Sequence, residues 1–165
     1  MKNNVLKLLF TVAILLLGTQ FMSAQNYQSA IGARLGSPIS VSYKYFLSEK
    51  SAVEGYVGFR SISSSARWLS VNGAYLVHNP LDDVLDGLQW YFGGGAGVYF
   101  YSSDFLDSSS TFLGIQGYVG LDYTLQNVPV NVTLDWSPTL FIGDGFLNGF
   151  GSGYYAAGVR YILGE

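Results

Sequence analysis

The sequence predicts an all-β chain folded as an eight-stranded antiparallel up-and-down transmembrane β-barrel. Three observations lead there. Eight stretches alternate between an apolar and a mixed set of residues, the period of two that a β-strand imposes. Charged residues make up only 12% of the chain, about half the usual quarter, while aromatics reach 16% and glycine occurs 21 times in 165 residues. Beyond residue 24 no apolar run approaches the roughly 20 residues of a membrane helix. A charge-poor chain without a helical span satisfies its backbone in lipid by closing strands into a barrel.

The first 24 residues read as a signal peptide rather than as part of the fold. Lys2 and Lys7 form a positive start, Leu8 to Leu17 an apolar core, and Met22-Ser23-Ala24 a small-residue cleavage site before Gln25. Residues 25–165 are then one barrel domain. There is no cysteine, hence no disulfide framework. Without Lys2 and Lys7, six basic residues face eleven acidic ones. That balance excludes nucleic acid as a partner.

The organising strand is predicted over Leu88 to Ser102. Leu88, Trp90, Phe92, Gly94, Ala96, Val98 and Phe100 form one face; Gln89, Tyr91, Gly93, Gly95, Gly97, Tyr99 and Tyr101 form the other. At about 3.3 Å per residue this run crosses a bilayer, for which roughly nine to eleven residues suffice. Glycine weakens a strand interior, so three on the mixed face point to a narrow lumen filled by larger side chains from other strands. Before it come strands at Tyr27 to Gly36, Ile39 to Tyr45, Val53 to Arg60 and Leu69 to His78, the last open to a hairpin at Asn72-Gly73. Asn79 to Gly87 predicts a short helical turn, with Asn79 as cap, Pro80 first and Gly87 closing. Strands at Leu113 to Tyr123, Val130 to Ser137 and Tyr154 to Leu163 complete the set, with polar loops at Ser103 to Ser110 and around Asp144 to Gly151. Pro138 predicts a bulge near the rim of the seventh strand, because a closed barrel has no free edge for proline.

Two considerations orient the faces. More than thirty apolar side chains would overfill an eight-stranded interior. The mixed face carries about one charge per strand, too few for a water-facing surface. The apolar face therefore belongs in lipid and the mixed face in the lumen. Arg34, Lys44, Glu54, Arg60, Asp122, Asp135 and Arg160 then form a lumen charge network, with Lys44 expected on Glu54 and Asp135 on Arg160. Tyr45, Tyr75, Trp90, Tyr123 and Tyr161 form an aromatic girdle at the periplasmic rim.

The signal peptide, the alternating strands, the Gly-aromatic runs and the final Gly158-Val159-Arg160-Tyr161 together resemble the small outer-membrane β-barrel proteins of the OmpX/OmpA transmembrane-domain type of Gram-negative bacteria. The resemblance covers essentially the whole chain after residue 24. It implies an outer-membrane location with periplasmic termini. The partners it implies are outer-membrane lipid and lipopolysaccharide, the barrel-assembly machinery and periplasmic chaperones. Such proteins usually end on an aromatic residue, whereas this chain runs on through Ile162-Leu163-Gly164-Glu165.

Catalytic patterns are weak. His78 is the only histidine and has no serine nearby in sequence, unlike the serine–histidine arrangement of lipid A-modifying barrels. Asp82, Asp83 and Asp86 fail the EF-hand pattern at Val84 and Gly93. The glycine run 93–97 lacks the final glycine and the helix of a nucleotide loop. No enzyme activity, metal or cofactor is expected. Phe146, Leu147 and Phe150 stand out in the last loop, and two readings are open for them: a contact for an extracellular ligand, or rings folded down onto the barrel rim. The expected role is structural or surface-exposed, with the lumen plugged by side chains; a secreted lipocalin-like binder or a small channel are the alternatives.

Overall fold

The computed structural model describes residues 27–63, 66–103, 108–143, 149–152 and 154–164. Ten β-segments follow in order: β1 (Ser29–Gly36), β2 (Ile39–Phe46), β3 (Ser51–Ser63), β4 (Ala66–Pro80), β5 (Leu88–Ser103), β6 (Ser108–Thr124), β7 (Val130–Trp136), β8 (Thr139–Ile142), β9 (Gly149–Gly151) and β10 (Tyr155–Gly164). Each pairs antiparallel with its sequence neighbour from β1 through β7; β8 continues β7 along β6, and β9 precedes β10. Pairing of β1 with β10 closes the sheet, Ile31 opposite Tyr161 and Gly36 opposite Ala156. The result is an eight-stranded up-and-down barrel. The predicted signal peptide, residues 1–24, lies outside the described residues.

Alternation sets the faces. Ile31, Leu35, Val41, Val57, Leu69, Phe92, Leu113 and Val159 are exposed, while Arg34, Lys44, Glu54, Asp122 and Arg160 are buried. Among the described residues 17 buried side chains are polar or charged and 13 hydrophobic, the reverse of a water-soluble core. A lipocalin-like barrel would carry its apolar set inside. This one is built the other way round.

Several elements differ from the sequence-based expectation. The fourth strand runs unbroken through Asn72 and Gly73, which pair with Gly97 and Ala96, so no hairpin forms there. Asn79 and Pro80 continue β4 opposite Trp90 and Gln89 instead of capping a helix. The ladder thus consumes the residues that a cap would need. What remains is a tight turn, Val84 N–H and Leu85 N–H both donating to Leu81 O, closed by Gly87 at φ 82°. Ser108 to Ser110 belong to β6, opposite Ser103 to Tyr101, and Gly149 to Gly151 to β9. Polar loop composition concealed these strand ends, because a hairpin ladder continues as long as its backbones stay paired. Strand lengths are uneven: eight residues each in β1 and β2, but 16 and 17 in β5 and β6.

Pro138 splits the seventh strand between β7 and β8. The register against β6 is unbroken across it, Val119 facing Trp136 and Gln116 facing Thr139. Gly117 N–H still donates to Pro138 O at 3.0 Å, so only the donor that proline lacks is lost. The extra residue lies in the opposite strand: three steps from Trp136 to Thr139 face four from Gly151 to Tyr155. The bulge expected on strand seven is therefore carried by strand eight.

The inward glycines of β5 serve a purpose other than the expected one. A Cβ on Gly95 would come within 2.3 Å of Gly73 O, and one on Gly93 within 2.1 Å of Tyr75 O. The wall bends so sharply that inward Cβ positions converge on the neighbouring backbone, leaving glycine as the residue that fits. Gly73, facing outward on β4, would meet nothing within 4 Å. Gly95→Val is expected to destabilise the barrel by about 1–3 kcal/mol through overpacking, whereas Gly73→Val changes stability by less than about 0.5 kcal/mol. Urea unfolding in lipid vesicles separates the two; equal midpoints would contradict the curvature argument.

Candidate functional site

The lumen holds one continuous set of polar contacts. Arg34 on β1 lies over the Tyr56 ring, with Cζ 4.6 Å from its centroid. Its guanidinium forks across the lumen, Nη1 donating to Glu54 Oε1 at 3.1 Å and Nη2 to Asp135 Oδ1 at 2.7 Å. Arg160 on β10 also bonds Glu54 Oε1 through Nη2, and it reaches Ser42 Oγ at 3.0 Å and Thr133 Oγ1 at 2.9 Å. Tyr91 OH donates to Asp135 Oδ2 at 2.9 Å. Both oxygens of Asp135 are thus engaged. All these side chains are buried, so each charge depends on its partners for the solvation that water would supply.

A second cluster lies toward the end where β1 begins and β10 finishes. Lys44 Nζ donates to Asp122 Oδ2 at 2.7 Å and lies 3.3 Å from His78 Nε2. Asn131 Nδ2 donates to the other Asp122 oxygen. The His78 ring stacks on Tyr91 with centroids 5.1 Å apart, and Phe46 lies 4.9 Å away on another side. Tyr27 packs edge-on against Phe46, and burial pushes its phenol well above the ordinary value, with Asp122 adding to the shift and Arg160 opposing it. His78 thus faces a cation and a carboxylate.

Toward the opposite end the lumen changes character. Tyr56 and Tyr118 hydroxyls share a 2.6 Å hydrogen bond. Gln116 Nε2 donates to Tyr56 OH at 3.1 Å and to Tyr99 OH at 2.6 Å, and its Oε1 accepts from Tyr118 OH at 2.8 Å. Beyond this amide–phenol layer Trp68, Tyr99, Phe112 and Phe141 form a buried aromatic cluster, with Tyr101 and Tyr154 packed against it. Small residues make room for the rings: a Cβ on Gly114 would stand 2.6 Å from the Tyr99 ring.

Six of the seven sequence-derived lumen charges meet here, but with other partners than expected. Lys44 and Glu54 are register neighbours, yet Glu54 is taken by the two guanidinium forks and Lys44 reaches across to Asp122. Arg160 pairs in register with Asn131, while Asp135 faces Ala156, four rows away. At about 3.3 Å per row these two charges stand too far apart to meet directly. Arg60 is exposed on β3 opposite Trp68, outside both clusters. His78, Tyr91, Gln116, Tyr118 and Asn131 were absent from the sequence-derived network, although their inward alternation was readable. Tyr45, Tyr75, Trp90, Tyr123 and Tyr161 occupy outward positions on five strands; Tyr45 OH accepts from Gln28 Nε2 and Tyr75 OH donates to Ser51 Oγ, each at 2.9 Å. Phe150 is exposed on β9, whereas Phe146 and Leu147 lie outside the described residues. Among the described residues no group of three or more His, Asp or Glu side chains is placed to hold a metal ion.

Glu54→Ala removes the carboxylate shared by Arg34 and Arg160, leaving two buried guanidinium groups short of counter-charge. A loss of about 3–5 kcal/mol is expected, read as a lowered urea midpoint in vesicles. The double change Lys44→Met with Asp122→Leu should be milder than Asp122→Leu alone, since it strands no charge. A double variant as unstable as the sum of its singles would contradict the pairing.

No protein-family model matches the chain, and no curated protein does. Among solved structures, the crystal structure of Neisserial surface protein A (NspA) aligns with a TM-score of 0.53 at 18% identity, covering 81% of this chain and 92% of that one. The attachment invasion locus protein Ail of Yersinia pestis aligns over the same shares with a TM-score of 0.43 at 15% identity. The barrel closure described above and the likeness to NspA converge: this chain has the fold of the small eight-stranded outer-membrane β-barrel proteins.

Proposed function

We propose that the protein is a non-enzymatic outer-membrane barrel, exported by a cleaved signal peptide, whose lumen is plugged by its own side chains and whose role is structural or surface-exposed. The observation that carries this reading is the inversion of burial: apolar residues cover the outside while paired charges and aromatic rings fill the inside. Such a surface is at home in lipid, and such an interior leaves no wet path for solute. Outer-membrane lipid and lipopolysaccharide surround the wall, with the barrel-assembly machinery and periplasmic chaperones as partners during export. The turn after β1 and the connections following β3, β5 and β8 face outward, and Phe146 and Leu147 of the last, with the exposed Phe150 of β9 beside them in sequence, form the contact for an extracellular ligand. NspA is described as a surface protein, which agrees with this reading.

Protein taken from isolated outer membranes should migrate faster unboiled than boiled and should start at Gln25. In planar bilayers the purified barrel should show no porin-sized conductance. A large, steady conductance would overturn the plug, and a soluble protein without a heat shift would overturn the membrane reading. Replacing Phe146, Leu147 and Phe150 by Ser should reduce binding of cells to a host or matrix surface while leaving the heat shift intact; unchanged binding would dismiss the loop contact.

A further inference from the structure

The barrel rim is lowest where β1 turns into β2. Ile39, the first residue of β2, faces Phe59, and β3 runs on past it to Ser63. On the other flank Gly36 faces Ala156, and Ser37 N–H donates to Tyr155 O at 3.4 Å. Arg60 and Tyr154 are therefore the first residues to stand above the Ser37-Pro38 turn, one on each side of it. Between them β1 and β2 hold β3 and β10 three spacings apart, or about 14 Å. The Pro38 ring forms the sill of this notch, so close over Gly58 that a Cβ there would stand 2.5 Å from Pro38 Cγ.

Polar capacity is left unmet at the notch. Arg60 lies on the inward face of β3, cross-strand from Trp68, which puts their Cβ atoms about 5 Å apart. The inward cations Arg34, Lys44 and Arg160 are each held by buried carboxylates, whereas Arg60 is exposed and makes no ion pair among the described residues. Trp68 is 5% exposed, and its Nε1–H is buried without an acceptor. An indole nitrogen can only donate, and folds otherwise avoid leaving a buried donor unmet. Trp68 packs edge-on to Phe141, and Phe141 packs against Tyr154, with centroids 5.8 Å apart in each pair. Burial pushes the Tyr154 phenol up and the charge of Arg60 opposes that shift, so the two side chains act on each other across the notch.

We infer that the notch binds a small aromatic monocarboxylate, its carboxylate on the Arg60 guanidinium and accepting from Trp68 Nε1–H, its ring against Tyr154. The guanidinium fork matches a carboxylate. One cation calls for one negative charge, and a phosphate or a sulfated chain would bring more than a single Arg balances. Arg60, Trp68 and Tyr154 supply donors and, apart from the phenol oxygen, no acceptor. A ligand with acceptors at one end and an apolar ring at the other suits them; a sugar would arrive with hydroxyl donors to satisfy. Edge-on or offset contact with Tyr154 then holds the ring. The site lies above the plug and leaves it intact, since Tyr99, Phe112 and Phe141 fill the lumen beneath.

Nuclear magnetic resonance of the folded barrel in detergent micelles tests the site, because three tryptophans give three indole N–H signals. The signal lost in Trp68→Phe is that of Trp68. Titration with benzoate should move it downfield to saturation, while benzyl alcohol leaves it in place. Arg60→Gln should weaken binding about tenfold or more, as expected when a hydrogen bond to a charged group is lost. Arg67→Gln, which removes the exposed arginine on the outward face of β4, should leave binding unchanged. The other two indole signals, unmoved, report that each variant is folded. A Trp68 signal that ignores benzoate, or that moves alike with benzyl alcohol or in Arg60→Gln, would overturn the site. Tighter binding of inorganic phosphate than of benzoate would overturn the ligand class.

Discussion

Closure of the sheet is the constraint on which the rest of this structure depends. In hydrocarbon an unpaired peptide group costs several kcal/mol, and no water is present to relieve it. Pairing β1 with β10 removes the two edges that an open sheet of these strands would expose. Closing only eight strands makes the cylinder narrow, and narrowness dictates what stands inside. On β5, inward positions hold glycine because the backbone of β4 occupies the place of a Cβ. Where there is room, long side chains meet across the axis.

The interior charges follow from the same narrowness. Three cations (Arg34, Lys44 and Arg160) and three carboxylates (Glu54, Asp122 and Asp135) are buried together. Desolvating any one alone would cost several kcal/mol. The guanidinium fork is suited to the problem, since one Arg can serve two carboxylates and one carboxylate two Arg. Glu54 and Arg34 use both possibilities. The amide–phenol layer and the aromatic cluster above it then complete the filling without further charge.

Much of the fold was legible because alternation reports directly which way a side chain faces. That Arg34, Lys44, Glu54, Asp122, Asp135 and Arg160 share the mixed face came from that period, and that this face is inward came from the bulk of the apolar set and the few charges of the other. Their partners did not, because alternation is silent about height. Whether Arg160 stands level with Asp135 or with Asn131 depends on register, which hairpin turns and the β1–β10 seam determine together. Strand ends were hidden for a related reason: Ser108 to Ser110 look like loop, yet remain paired with β5. Pro138 correctly marked an irregularity, but a proline shows only where a donor is missing. Which strand absorbs the extra residue is decided by the neighbours.

The paired interior also has a temporal meaning. Arg34 and Glu54 are 20 residues apart, but Lys44 and Asp122 are separated by 78, Arg34 and Asp135 by 101, and Arg160 and Glu54 by 106. No single hairpin contains a complete set of partners. Lys44 gains its counter-ion only with β6, and the set that joins Arg34, Glu54, Asp135 and Arg160 is complete only when β7 and β10 are in place. Such long-range contacts slow folding. The interior is therefore complete, in charge as in hydrogen bonding, only in the sealed cylinder.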